Sequence, residues 1–570
     1  MGVRRAQVPL ALAFFVPFLS GLWHQNAGAL YRTDAALLQM QGLAPSLSGS
    51  LSALLARGAT ALPLGDVVAR AAALSALLLG LSGMLVFLAS MRLLRREGSG
   101  SECDPWLSLG GALMATATLP GLTEGTIAGG GALGLCLALY WLHLDGQLKR
   151  GSSFSNAALR GALTVALLVE SPALALGLLF TSFLPRFFRN LGHIELQNIR
   201  PPEKRSSSPE VGFGLGALLL FGGLVLSEAL AAGKGGLAGL VEIRSWTLSE
   251  EARASVLWPL SELGLLWSIA ALVGLLSLGV RRSPALWVPL GIFALDLVVP
   301  RSGPGGWLDP ELTASRAALH LTTIALLAPL GALGLRVAAL LGPALRLPAS
   351  RMSAALLTTL GVAAALAGVE EAANIARRTS TLAIRVSGEE LMRQLPPSSL
   401  IVATSERLSR RLLAVQALGE RPDVLVVPLE FLGDAYRFGA LVRAEPVLER
   451  LVVDMNVSGA PSEEALFRLT DVRPVYVEPD PKWEPKLLAH LEPTPVLARY
   501  SPHTLSGPER RIIYAREETA FKELLGLTEL GVEGDPATRR LLVERHETLR
   551  RAIERAGDSA TAELMALATL

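Results

Sequence analysis

Between Val8 and Val369 the sequence is a succession of apolar runs, each long enough or nearly long enough to cross a bilayer, separated by short polar loops. Such a chain must satisfy its backbone hydrogen bonds within helices, so this region is confined to a bundle of spanning helices. The runs lie at Val8–Trp23, Val67–Ser90, Trp106–Thr123, Thr126–Leu144, Ala158–Glu170, Ser171–Leu184, Val211–Ala232, Ser255–Val280, Pro284–Val299, Ala317–Leu335 and Ala354–Val369, which predicts about eleven spans. The pair at Ala158–Leu184 is short and reads as a broken hairpin. The first run could also belong to a cleavable signal peptide, and an uncleaved first span is the expectation.

Charge divides the chain. Of 52 Lys and Arg and 50 Asp and Glu, 26 and 30 fall in the last 200 residues, so the membrane part holds the minority of acids in almost two-thirds of the length. A chain of 570 residues is too long for one core. The expected division is a transmembrane domain over 1–370, an α/β domain over 371–516 and a helical tail over 517–570. In the second of these, the runs Ser399–Thr404, Val424–Leu429 and Pro474–Val477 read as strands. Segments with helical spacing at Arg407–Leu418, Ala435–Val452 and Ser462–Leu469 alternate with them, which predicts a small, mostly parallel sheet.

The basic residues of the first part fix its orientation. Arg4-Arg5, Arg92/Arg95/Arg96, Lys149-Arg150, Arg186/Arg189/Lys204/Arg205, Arg281-Arg282 and Arg336/Arg346/Arg351 occupy alternate loops and mark the cytoplasmic side. The opposite loops, His24–Asp66, the turn at Glu124, Lys234–Arg253 and Arg301–Arg316, then face outward, and an odd span number places the C-terminal domain outside with them. The expected location is a bacterial inner membrane. The net charge of +2 comes from scattered Arg, which gives no footprint for nucleic acid. Cys103 and Cys136 fall in a loop and in a span, so no disulfide is expected.

The first outer loop carries Leu30-Tyr31-Arg32-Thr33-Asp34-Ala35-Ala36-Leu37, then Gly42, and it is apolar enough to lie along the interface as short helices. Asp34 sits where an aspartate could simply cap such a helix. Arg316 and His320, four residues apart at the outer end of a span, share a helix face and form a cation pair suited to phosphate. Arg32, Arg253 and Arg301 are the other outer cations. Glu170, Glu228, Glu262 and Asp296 fall within spans, where an unpaired carboxylate costs about 2.5–3.5 kcal/mol on insertion scales, so paired or cavity-facing positions are expected. Gly129-Gly130-Gly131 is read as a close-packing site inside a span, and no metal-ligand pattern is present.

Taken in order, several segments resemble the transmembrane protein O-mannosyltransferase family of the GT-C superfamily, whose members use polyprenyl-phosphate sugars. They are Asp34, Gly42, Leu62-Pro63-Leu64-Gly65, then Arg70, Leu74 and Ser75, and Glu124 after a later span. In the C-terminal domain they are Leu395–Val402, Arg421-Pro422-Asp423-Val424 and Arg473-Pro474-Val475-Tyr476. The sequence departs from the family pattern at Leu37, where the family has a second carboxylate, at Ala72, where it has Asn, and over Pro45–Ser50, where it has a His-Pro-Pro-Gly-Tyr-Pro run.

The resemblance implies a GT-C-like fold and an inverting transfer in which Asp34 takes the proton of an acceptor hydroxyl as it attacks the sugar carbon. It implies a polyprenyl-phosphate-linked sugar as donor, a protein or glycan as acceptor, membrane lipid as surroundings and no further cofactor. Arg32, Glu124, Arg253, Arg301, Arg316 and His320 are the candidate substrate-binding residues. The departures at Leu37 and Pro45–Ser50 leave a catalytically silent scaffold open. A transporter or flippase of a lipid-linked substrate is the other class, although the paired halves typical of transporters are not found.

Overall fold

The computed structural model describes residues 2–24, 34–40, 47–59, 61, 67–97, 101–148, 154–193, 208–231, 257–281, 283–299, 314–341, 350–379, 382–429, 432, 442–443, 445–529 and 536–568. Its contacts divide the chain into two compact units. The first comprises Met1–Ala27, Ser46–Glu228 and Val241–Ser380, and the second Gly28–Pro45, Ala229–Leu240 and Thr381–Leu570.

In chain order the helices are α1 (Gly2–Trp23), α2 (Asp34–Met40), α3 (Ser50–Ala59), α4 (Val67–Glu97), α5 (Asp104–Thr116), α6 (Leu119–Thr126), α7 (Ala132–Leu148), α8 (Phe154–Glu170), α9 (Pro172–His193), α10 (Ser208–Ala231), α11 (Trp258–Glu262), α12 (Gly264–Val280), α13 (Trp287–Val298), α14 (Ala314–Leu341), α15 (Ser350–Thr379), α16 (Leu382–Arg393) and α17 (Glu406–Ala417). All but α2, α16 and α17 build the first unit, which is the polytopic helical part of the protein. Among the described residues, four helices are long and apolar enough to cross a membrane, α1, α4, α14 and α15, and five shorter apolar helices lie within α7, α9, α10, α12 and α13.

The unit is held by a core around Trp267, Phe87, Leu79 and Leu109 and a second around Trp141, Leu174 and Ile292. Helix α12 lies against α14 with almost no space between backbones: a Cβ on Gly274 would meet the Leu330 carbonyl oxygen at 2.1 Å. Small residues permit that approach, and the contact supplies the dispersion attraction that replaces the hydrophobic effect between spanning helices. The opposite faces of α10, α12 and α15 stay apolar and exposed, with Leu218, Phe221, Leu272, Leu276, Leu356 and Leu360 among them, as faces meant for lipid acyl chains must be.

One expected span looks different in three dimensions. The run Trp106–Thr123 is broken between α5 and α6, where Thr118 Oγ1 accepts from Gly121 N at 3.4 Å and Pro120 starts the new helix. The run Ala158–Leu184 is the hairpin its length implied, with α8 ending at Glu170 and Pro172 opening α9. Arg336, expected as a loop charge, is buried and donates to Asp104 Oδ1 at 2.7 Å and the Leu94 carbonyl at 3.2 Å, joining the end of α14 to α4 and α5.

The second unit is α/β. Strands β1 (Leu400–Ala403), β2 (Leu425–Pro428), β3 (Val475–Val477), β4 (Leu491–Pro493) and β5 (Ala498–Tyr500) form one sheet in the order β2-β1-β3-β5-β4. The first three are parallel, with Val402 opposite both Val427 and Val477, and β5 runs antiparallel to β3 and β4. Apart from the half-buried Leu425, the parallel strands are buried throughout, so they read as unbroken apolar runs. The helices 507–527, 536–555 and 559–567 pack Tyr514, Phe521, Leu549, Ile553 and Met565 into the same core as the sheet. Helix α2 packs on α17 in this unit, with Leu37 and Leu38 buried.

Open parallel sheets bind ligands beyond the carboxyl ends of the strands where the order reverses, here between β1 and β3. The protein fills that position itself. Glu478, just past β3, accepts from Thr404 N at 2.9 Å and Ser405 N at 2.7 Å at the start of α17, and from Arg545 Nη1 at 2.8 Å. Arg421 is a second internal lock. Held at φ +46, it donates to the carbonyls of Met392, Leu395 and Pro396 and pairs with Asp423, whose carboxyl it holds well below the usual range. The Arg-Pro-Asp segment therefore closes the end of α16 onto the first strand.

Candidate functional site

One set of polar groups of the helical unit collects around the first turns of α14, away from the buried Arg336–Asp104 pair near the other end of that helix. They lie at the start of α14, the end of α13, α11, the break between α8 and α9, the turn between α6 and α7, and the first turn of α3. Except for the break between α8 and α9, each belongs to, or flanks, a loop that the charge pattern assigned to the outer side.

At the centre stands His320, fully buried on α14. Its Nδ1 lies 2.8 Å from Asp296 Oδ2 on α13 and its Nε2 lies 2.7 Å from Glu262 Oε2 at the end of α11. Arg316, one turn before His320, donates from Nη1 to Asp296 Oδ1 at 2.5 Å and from Nη2 to the Asp296 carbonyl at 2.8 Å. The Trp258 ring, one turn before Glu262, packs on His320 with centroids 4.3 Å apart. Imidazole nitrogens that each face a carboxylate are satisfied together when both carry a proton. Each of these acids and bases faces a group of the opposite kind, which is how buried ionisable groups are tolerated in a helical bundle.

Glu262 differs from its partners. Its side chain is 12% exposed, whereas those of His320 and Asp296 are at 0% and that of Arg316 at 4%, so the network has one open end. Just beyond it Gly264 adopts φ +70, a left-handed turn that separates the short α11 from α12.

The neighbouring groups are tied down as helix ends. Glu170 accepts from Ser52 N at 3.0 Å and Ser52 Oγ at 2.6 Å, so this acid caps α3 across the helical unit. Ser171 donates to the Ser315 carbonyl at 2.9 Å, fixing the α8/α9 break to the first turn of α14. Glu124 is buried, and its Oε2 accepts from Gly131 N at 2.6 Å. The triple glycine is thus the turn around this carboxylate, in place of the mid-span packing site expected of it. A Cβ on Gly131 would lie 2.6 Å from Ala318 N, so the turn also rests directly on α14.

Of the residues singled out from sequence, Arg316 and His320 come together as their spacing implied, but their donors are directed to Asp296 and Glu262. Those two acids were legible only as costly; that they serve the same His follows from helix packing, since they lie 24 and 58 residues away in sequence. Asp34 is the first residue of α2, in the second unit. Arg32, Arg253 and Arg301 lie outside the described residues. Among the described residues, no group of His, Cys, Asp and Glu is placed to hold a metal ion.

No protein-family model matches the chain, and no curated protein matches it significantly. Among solved structures it is similar to ArnT from Cupriavidus metallidurans bound to undecaprenyl phosphate, at 13% identity and a TM-score of 0.48, over 84% of this chain and 93% of that one. The apo state of the same protein gives 12% identity and a TM-score of 0.45, over 84% and 92%. The apo oligosaccharyltransferase of Archaeoglobus fulgidus gives 14% and 0.25, over 74% and 54%. At that distance none of the three assigns an activity to this chain.

Proposed function

We propose that the protein is a membrane glycosyltransferase of GT-C type that moves a sugar from a polyprenyl-phosphate donor to a hydroxyl of a protein or glycan on the outer face of a bacterial inner membrane. Asp34 is the proposed base, and Arg32, Glu124, Arg253, Arg301, Arg316 and His320 are the proposed contacts for donor and acceptor. The observation that carries the reading is the gathering of buried, mutually paired acids and bases around the first turns of α14 in an apolar helical unit, most of them on elements next to the loops assigned outward. Ionisable groups in a spanning bundle are kept at a cost, and they are kept where a polar substrate is handled. The ordered segments from Asp34 to Tyr476 that resemble the O-mannosyltransferases support the same chemistry.

A catalytically silent member of this fold is the second reading. The observation favouring it is Leu37, which stands in place of the second carboxylate and is a buried core residue of the second unit.

Asp34→Asn decides between them. If Asp34 removes the acceptor proton, transfer from a polyprenyl-phosphate sugar to a peptide or glycan falls about 10²- to 10⁴-fold while the fold is kept. Asparagine starts a helix as well as aspartate does, so an unchanged rate would assign Asp34 to α2 alone. Absence of transfer by the unaltered protein across a donor panel would favour the silent scaffold.

A further inference from the structure

His546 is a fully buried imidazole in the core of the second unit, on the helix 536–555. Its Nδ1 lies 3.1 Å from the Pro495 carbonyl in the turn between β4 and β5, and a carbonyl only accepts, so Nδ1 carries the ring's proton. Nε2 is then the acceptor for the Tyr514 hydroxyl at 3.2 Å, while Phe521 stacks on the ring with centroids 3.9 Å apart. Both come from the helix 507–527. The ring is satisfied as a neutral base. A second proton, on Nε2, would meet the proton of a buried hydroxyl and put a charge into an apolar slot.

The charged groups of the surrounding elements are engaged elsewhere or exposed. Glu547, the next residue, is held by Arg550 and Arg551. On the helix 507–527, Arg510 donates to the carbonyls of Leu491 and Ala489, Glu518 accepts from Lys522, and Glu517 is half-buried. Glu492 of β4 pairs with Arg499, Lys486 of the helix 485–488 pairs with Glu463, and Glu563 of the helix 559–567 is exposed. Burial pushes the imidazole below its ordinary 6.5, and the backbone of Pro495 and Met565 and the charge of Glu547 offset this only in part.

We propose that His546 is an acid-sensitive latch: on taking up a proton it releases the helix 536–555 from the sheet, and Arg545 goes with it. Arg545 directly precedes His546 and reaches Glu478 Oε1 at 2.8 Å just past β3, so opening the latch withdraws a cation from the carboxyl edge between β1 and β3. The sign follows from linkage. Once the helix is loose the imidazole titrates near 6.5, whereas the docked ring resists protonation. Docking is therefore strongest above about pH 6.5 and weakens as pH falls below it, by at most about tenfold per pH unit for one proton. Glu517, whose carboxyl burial raises, acts in the opposite sense, and Glu547 acts only below about pH 4.5.

The test is hydrogen exchange of the full-length protein in micelles at pH 7.5 and 5.5, with rates corrected for the pH dependence of exchange in unfolded peptides. Protection of the helices 536–555 and 559–567 should fall about fivefold to tenfold at pH 5.5, with β1 and β3 less affected. His546→Gln keeps a hydrogen-bonding side chain that does not titrate, and should remove the difference between the two pH values. Equal protection at both pH values in the unaltered protein, or an undiminished difference in His546→Gln, overturns the latch. Should His546→Gln not fold, the double variant His490→Gln/His503→Gln decides, since these are the unit's other two imidazoles. A difference that persists in it leaves the latch in place, and one that vanishes overturns it.

Discussion

Replacing Glu478 should uncouple the start of α17 from the sheet, and the geometry sets the size of the effect. The carboxylate is 1% exposed and accepts two backbone N–H bonds, at 2.9 Å and 2.7 Å, besides the 2.8 Å contact with Arg545. Glu478→Ala deletes an acceptor shared by three donors and leaves Arg545, itself 16% exposed, without its main partner. Breaking a buried charge pair from one side costs about 3–5 kcal/mol. Glu478→Gln retains an oxygen for the backbone but lowers each charged hydrogen bond to a neutral one, a loss of about 1–3 kcal/mol in all. Hydrogen exchange of the full-length protein in micelles reads this locally. Amides of Thr404 and Ser405 should exchange about tenfold faster in Glu478→Gln and faster again in Glu478→Ala, since each 1.4 kcal/mol or so is a factor of ten, with β4 and β5 less affected. Unchanged exchange at both amides in both variants would refute the view that Glu478 fills the carboxyl edge of the sheet as a structural ligand.

Asp296→Asn should destabilise the helical unit by about 3–5 kcal/mol, because Arg316 and His320 lose the carboxylate charge they share and keep one side-chain oxygen where two accepted, and would show as a lower midpoint of thermal unfolding in detergent. A midpoint within error of the unaltered protein would separate the network from stability. Acid should loosen the helix 536–555 between about pH 4.5 and 2. Arg550 and then Arg551 hold Glu547 down at about 2 from 4.5, so the unfolded chain binds the extra proton in that window and stability falls as pH falls through it. Glu547→Gln should flatten that part of an acid titration followed by circular dichroism, and an undiminished slope would place the sensitivity elsewhere. Topology is tested by a reporter enzyme that works only outside the cytoplasm: it should be active after Glu371 and silent near Arg282, and the reverse pattern would end the orientation proposed here.

The alternation of apolar strands and amphipathic helices made the second unit readable, because parallel strands buried on both faces leave continuous runs such as Leu400–Ala403 and Val475–Val477. The antiparallel pair β4 and β5 was not read, since three-residue strands carry too little pattern to rise above a loop. Hydropathy likewise saw Trp106–Thr123 as one segment, because Thr118 and Pro120 break a helix without making it polar. The site divides the same way. Arg316 and His320 were legible as a pair because four residues bring side chains onto one helix face. What they bind was not, because Asp296 and Glu262 reach them from other helices, and only packing decides which distant acid meets which base. Glu170 was expected to be paired or cavity-facing, and the Ser52 that pairs with it could not be named from sequence, because it lies 118 residues away.

The pairing within the His320 network bears on how its helices can move. Three hydrogen bonds join Asp296 on α13 to Arg316 and His320 on α14. A slide of either helix must break them together, so the end of α13 and the start of α14 move as one piece.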